Sequence, residues 1–488
     1  MPYTYDQTAS DETAGETALV LDPAFLPENA LYGAEEGKTV GWELSPRPYL
    51  LSQEQHQQLV NIGQLLHRWL PACESLYRDS LEEKAPNWVS ALVDQGKPEH
   101  LRQFSVMKRW KSQSPLVIRP DLLVTESGFA LCEIDAVPGG IGFTAALNQA
   151  YQASGFSVLQ NKTIPEDFLE MLKAFFVREA PESQTGKDPV IALIISDEAA
   201  DYRHEMQWLV DTIQQDYPAI FLVHPKQLRL VRDKLVFEDN GLETPIDIIY
   251  RFFELFDLAN IPGIDLIQYA LKKRWVVCTP PFKPVFEEKA WLSLIHHPAL
   301  QGEWLKRISQ SDLDALSALI PEGWILDPRP VPPQAVIPGL TIQNQAVQDF
   351  RTLKKATQKE RHLVIKPSGF SPLAWGSKGV TIGHDESQEA WAEALENALA
   401  SFGKTPYLLQ RFEKPKTEDL FKLDTQAGQE KVIPFPAKTR LCPYYFVAEA
   451  PTLVGVLATA CPADKKIIHG MKDAILAPAA VETERFTT

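Results

Sequence analysis

Residues 119–142 read RPDLLVTESGFALCEIDAVPGGIG, and the spacing of their charges decides the fold. Arg119 and Asp121 stand two apart, so on an extended strand they share one face. Glu133 and Asp135 repeat that spacing. Ser127-Gly128 lies midway between apolar flanks and reads as the turn of a hairpin. Folded that way, the segment gathers three carboxylates and one guanidinium on a single patch, a set suited to a hard divalent cation and a polyphosphate. A solvated hairpin face would show the same charges. The neighbours favour a site: Glu133 and Asp135 interleave with Leu131, Ile134 and Val137, and a charge set in an apolar strand needs a partner or a metal.

Outward from the hairpin, the periodicity changes. Upstream, Leu59, Ile62, Leu65, Leu66, Trp69 and Leu70 recur at helical spacing, and Ser52 with Gln55 forms a capping-box pattern, so a long helix is expected over 52–80. Downstream, a helix over 143–153 is entered through Gly139-Gly140. Such a turn either receives a phosphate at the helix N-terminus or only satisfies the backbone. Residues 180–188 read as a linker. The unbroken apolar run at 189–196 suits a buried parallel strand. A helix at 202–216 and strands at 219–224, 245–250 and 275–278 continue a βαβ alternation, which predicts a Rossmann-like α/β domain over 186–325.

The proline-rich stretch at 327–333 marks a further boundary. Beyond it a helix is expected near 345–357, strands at 362–366 and 380–382, a helix at 387–402 and a strand at 406–412. Lys366 ends an apolar strand before a loop carrying Gly376, Ser377, Lys378 and Gly379. Its ammonium and the glycine amides would clamp phosphates, although a surface hairpin with one stray lysine reads the same way. The GxxxxGK[ST] spacing of a Walker A loop is absent. Gln410, Arg411 and Phe412 close a strand that runs into Pro415, either as a hinge whose backbone reads a base edge or as an ordinary strand. Arg440, in RLCPYYF, is a candidate for phosphate or a substrate carboxylate. Arg251 and Glu254, in YRFFELF, are further substrate candidates. His469, Lys472 and Asp473 flank a glycine in an expected turn.

Composition limits the partners. The chain has 488 residues, with 64 acidic against 48 basic and a net charge of −16. That excludes the basic footprint of a nucleic-acid binder and disfavours an anionic membrane surface. The five cysteines form no CxxC pair, so neither a zinc site nor a disulfide framework is expected, and a reducing cytoplasm is the natural compartment. The acidic, polar N-terminus has no signal-peptide character, and residues 1–18 read as a flexible tail. No run of 18 apolar residues is present.

Together, RPD…EID, the lysine strand, its glycine-containing loop and the hinge resemble the ATP-grasp superfamily. The acidic element precedes the lysine, which resembles the circularly permuted branch that includes glutathionylspermidine synthetase-like ligases. The resemblance spans about residues 100–480, with 245–259 and 282–289 similar to segments of that branch's α/β domain. It implies an α/β fold, a circularly permuted ATP-grasp core with a Rossmann-like pre-ATP-grasp domain. The divisions implied are 19–185 (helical region and metal-binding half), 186–325 (Rossmann-like), 326–412 (lysine subdomain) and 413–488 (hinge and remainder).

By the same resemblance, Arg119 and Lys366 are catalytic. Gly376–Gly379 and Gln410–Phe412 bind ATP. Asp121, Glu133 and Asp135 hold one or two Mg²⁺. Asp135 departs from the family's usual asparagine and adds a charge. The implied activity is joining a small-molecule carboxylate to an amine through an acylphosphate, with release of ADP. A phosphotransferase on the same fold and a non-catalytic nucleotide-binding protein are the alternatives. No Cys/His pair suggests the amidase fused to some members.

Overall fold

The computed structural model describes residues 20–26, 41–135, 137–180, 186–332, 334–374, 379–426, 429–465, 468 and 472–482. The tail expected at 1–18, the loop residues Gly376, Ser377 and Lys378, and His469 lie outside these residues. The described chain is mixed α/β, organised on three main sheets.

The largest sheet has eight strands. Along its main path Gly41–Leu44 is followed by Lys472–Val481, Pro451–Pro462, Gln429–Val447, Val117–Thr125 and Gly128–Asp135, while Thr417–Gln426 and Tyr49–Leu51 pair off that path. The hairpin forms, with its two-residue turn at Glu126-Ser127, one residue before the expected Ser127-Gly128, so that Gly128 opens the second strand and pairs with Thr125. Its register sets Arg119 opposite Asp135 and Asp121 opposite Glu133. A bulge between Asp121 and Leu122 locally breaks the ladder, and bulges re-aim side chains at such points.

The strand Gln429–Val447 carries Pro434, Pro436 and Pro443, residues that argue against a strand inside a sheet. The ladder accommodates Pro443 by opening. Against Val117–Thr125 the pairing holds at Arg440, Leu441, Tyr445 and Phe446 and skips the three residues between. Pro120 of the partner strand falls in the same gap. Neither proline has an N–H to offer, so the two share one opening in the ladder.

The long helix Gln53–Leu81 packs on this sheet, with both halves of the Ser52/Gln55 capping box present. Gly63 lies flush against the Tyr445 ring, where a Cβ would collide, and the Tyr445 hydroxyl donates to the Leu59 carbonyl at 2.6 Å. The helix Ile141–Ala153 covers another part of the sheet. It contributes Phe143, Ala146, Leu147 and Ala150 to a core shared with Tyr444 and Leu457.

The second sheet is the expected parallel one, ordered Val277–Thr279, Ile248–Phe252, Ile191–Ile195, Ile220–Val223. An antiparallel meander, Arg229–Val231, Lys234–Asp239 and Leu242–Pro245, interrupts its alternation and was not expected. The third sheet, ordered Gly323–Ile325, Tyr407–Arg411, Leu363–Pro367, Thr381–Ile382, carries the lysine. Gly323–Ile325 therefore pairs with the lysine sheet, although it falls on the Rossmann side of the expected boundary at 325/326.

The helix expected near 345–357 is replaced by a short hairpin, Thr341–Ile342 with Gln345–Ala346, and a 3₁₀ turn at Phe350–Lys355. Gln343 and Asn344 take positive φ between the hairpin strands. The Asp349 side chain then caps the 3₁₀ turn, so the segment turns twice where a helix would run straight. No helix among the described residues is long and apolar enough to cross a membrane.

Candidate active site

Lys366 and the acidic hairpin, more than two hundred residues apart in sequence, meet in space. The Lys366 ammonium donates to the Cys132 carbonyl at 2.8 Å, one residue before Glu133. Lys366 is nearly buried, and that burial lowers its pKa. The lysine strand is held by pairing with Tyr407–Arg411. The loop after it docks at Gly369, where a Cβ would fall inside the Glu287 carbonyl.

Three of the four hairpin charges form one network. The Arg119 guanidinium donates to Asp135 at 2.9 Å and lies 3.4 Å from Asp121. Arg440, one strand over, pairs with Asp121 at 2.8 Å. The Cys442 thiol donates to the other Asp121 oxygen at 3.4 Å. Burial alone would raise the Asp121 pKa, but Arg440 and then Arg119 hold it below the usual carboxylate value. Asp135 goes the other way. Its burial outweighs Arg119, and its pKa is raised. Two carboxylates of one patch are thus pushed apart in acidity by how many guanidiniums each faces.

Glu133 is more open and pairs with Lys289 at 2.7 Å. The donor chemistry of Asp121, Glu133 and Asp135, oxygen only, fits a hard cation such as Mg²⁺. As placed, each carboxylate answers to a protein cation, and among the described residues no three His, Cys, Asp or Glu side chains gather closely enough to hold a metal. A cation at Glu133 would share that carboxylate with Lys289 or take its place.

The Gly139-Gly140 turn does not present an open anion site. Glu205, from the helix Arg203–Gln214, places its carboxylate on the N-terminus of the Ile141–Ala153 helix. It accepts from Gly140 N at 2.6 Å and Phe143 N at 2.8 Å. The acceptor on the turn's amides comes from the chain itself. The Gly139 carbonyl, in turn, accepts from Arg119 at 3.3 Å and from the Tyr444 hydroxyl at 2.7 Å, so Glu205 and Tyr444 fix the turn against which Arg119 rests.

The remaining sequence candidates separate. Glu254 lies at the site and lines two adjoining cavities. The smaller, about 50 Å³, also touches Glu133, Asp135, Glu287 and Lys289. The larger, about 490 Å³, runs past Gly139, Tyr202, Phe252 and Asp257. Burial first, then Glu287 and Asp135, raise the Glu254 pKa well above the carboxylate range. Arg251 does not reach either cavity. It is 1% exposed, and its guanidinium is spent on Glu287 at 2.6 Å and on the carbonyls of Pro280, Phe253 and Pro281. It positions Glu287 instead of facing a substrate. Arg440 likewise is committed to Asp121.

At the expected hinge, Tyr407–Arg411 lies between two neighbours in its sheet. Arg411 N donates to Glu322 O at 2.8 Å and Phe412 N to His362 O at 3.0 Å. The Gln410 side chain bonds the Pro321 carbonyl at 2.9 Å. These groups are used within the fold, because a central strand has no spare edge. Gly379 N closes the loop onto Leu373 O at 3.0 Å. Lys472 and Asp473 open the strand Lys472–Val481, and Asp473 pairs with Lys465 at 2.7 Å, away from the hairpin network.

Sequence reasoning missed Lys289, Glu205, Glu287 and Tyr444. Glu287 and Lys289 lie in the 282–289 stretch and Tyr444 in RLCPYYF, but no periodicity or spacing within these segments, or around Glu205, marks them.

No protein-family model and no curated protein matches the sequence. Among solved structures, the chain is similar to a glutathione synthetase-like effector from Globodera pallida in its apo form. The match has 10% identity, a TM-score of 0.54, and covers 90% of each chain. A candidate gamma-glutamylcysteine synthetase from Methylobacillus flagellatus aligns over 88% of this chain and 89% of its own at 10% identity, with a TM-score of 0.38, too low to indicate a shared fold. The likeness to the effector is one of fold: a mixed α/β chain built like a glutathione synthetase-like protein.

Proposed function

We propose that the chain is an ATP- and Mg²⁺-dependent ligase that joins a carboxylate to an amine through an acylphosphate, releasing ADP and phosphate. The observation that carries this reading is the Lys366–Cys132 contact. It sets a buried lysine and a loop against a hairpin that bears one arginine and three carboxylates. The fold likeness to a glutathione synthetase-like protein supports it.

The chemical burden of such a reaction is charge. A carboxylate must approach the γ-phosphate of a polyanion, and the acylphosphate then needs a dry, enclosed position for the amine to attack. Arg119 and Lys366 would neutralise the transferring phosphoryl oxygens. Mg²⁺ held by Asp121, Glu133 and Asp135 would supply further charge neutralisation. Asp135 and Glu254 line the cavity of about 490 Å³ next to these groups, which gives a second substrate room beside the phosphate site.

The test is ADP release on mixing the chain with ATP, Mg²⁺ and pools of carboxylates and amines, followed by mass spectrometry of the products. A condensed product bearing the new amide is expected. ADP without any condensed product would leave the phosphotransferase; neither ADP nor product would leave a binding protein.

A further inference from the structure

The segment Glu287-Glu288-Lys289 is pinned from two sides. Glu287 pairs with Arg251 at 2.6 Å and accepts from Leu255 N at 3.0 Å. Glu288 forms an ion pair with Lys97 at 2.5 Å, with both side chains almost fully buried. Lys289 follows these two anchored residues and lines the smaller cavity. There its ammonium pairs with Glu133 at 2.7 Å and donates to the Ala374 carbonyl at 2.7 Å. Ala374 is the last described residue before the loop at 375–378. One ammonium thus ties the acidic hairpin to Ala374, through a carboxylate and a carbonyl whose oxygens suit a divalent cation as well.

We propose that Lys289 is a positioning lysine that stands in for the metal at Glu133. Without a cation, its charge neutralises Glu133 and holds the start of the loop. When a divalent cation takes Glu133, the ammonium is displaced and freed to meet phosphate oxygens on the same side of the cavity. The displacement is an exchange of one cation for another at one carboxylate, so Glu133 never remains uncompensated. This rests on the reading of the hairpin as a metal site.

Two variants separate the two ideas, with Mn²⁺ alone as the probe, titrated calorimetrically into the full chain without nucleotide. Glu133→Gln removes the carboxylate. If Mn²⁺ affinity does not fall in this variant, the hairpin is not the metal site, and the proposal falls with it. Given that fall, Lys289→Met removes the competing cation. Mn²⁺ should then bind more tightly, by about fivefold for the loss of one half-exposed ion pair. The double variant should show no gain. Unchanged or weaker Mn²⁺ binding by a folded Lys289→Met chain, with Glu133→Gln still impaired, overturns the role of Lys289 and leaves the metal site standing.

Discussion

Replacing Glu205 with glutamine should make the protein more stable at slightly alkaline pH and leave it unchanged near pH 4.5. Glu205 is fully buried, and burial pushes its carboxyl from 4.5 up to about 7, against the pull of the Phe143 and Gly140 amides and of Arg119. A raised folded value means the native state binds the proton more tightly than the unfolded chain. The stabilisation from that proton is complete below pH 4.5 and is lost as pH rises through about 7. The interval from 4.5 to about 7, at ~1.36 kcal/mol for each pH unit, is about 3 kcal/mol.

Glutamine mimics the protonated acid. It keeps one acceptor for the Gly140 or Phe143 amide and carries no charge to desolvate. Urea unfolding of both proteins at half-unit steps from pH 4.5 to 8 isolates this group, because every other titration is common to the pair. The stability difference, variant minus wild type, should climb with pH and level off above 7. A difference that stays flat across the range would refute the reasoning. So would one that falls, by showing that the helix N-terminus holds the carboxylate ionised throughout.

Asp121→Ala strands two guanidiniums in a buried network. It should cost roughly 3–5 kcal/mol in unfolding free energy and lower ATP-dependent ADP release by about a hundredfold or more; undiminished ADP release would sink the assignment of the hairpin. Lys366→Met should fold, since its partner is only a carbonyl, yet lose about a hundredfold in turnover. Fluorescence titration with an ATP analogue should show weakened binding, and wild-type affinity would count against a phosphate-facing lysine. Gly369→Ala places a Cβ inside the Glu287 carbonyl, so the loop must lift. A loss of at least ~1–3 kcal/mol in thermal unfolding is expected, and a neutral substitution would mean that the close approach does not persist in solution.

The hairpin was legible because its information is local. A two-residue spacing fixes a face and a turn signal fixes a partner, while the pairing of Asp121 with Glu133 also needs the bulge after Asp121, which no local spacing shows. The long helix was legible for the same reason, through its period and its capping box. The C-terminal strands were not. In Gln429–Val447 three prolines mask the alternation, and only the gap opposite Pro120 on a distant strand makes Pro443 tolerable. The helix expected near 345–357 gives way to a strand at Gln345–Ala346, turned back by Gln343 and Asn344, and to a 3₁₀ turn capped by Asp349. In the site, Arg119, Asp121 and Lys366 came from motif spacing. Lys289 and Glu205 gain their significance from what the tertiary fold sets against them, and no local pattern carries that.

The strand that bears Arg119 and Asp121 has Gly128–Asp135 on one side and Gln429–Val447 on the other. During synthesis the first neighbour arrives within a few residues, the second only after some three hundred more. Until then the charged hairpin carries an open edge and lacks the guanidinium of Arg440, so Asp121 faces Arg119 alone. The partial chain would expose a strand to adventitious pairing, and the charge balance around Asp121 would differ from that of the finished protein. In a nascent chain halted before residue 429 the cluster around Asp121 is therefore incomplete, because the strand Gln429–Val447 supplies Arg440 and Cys442.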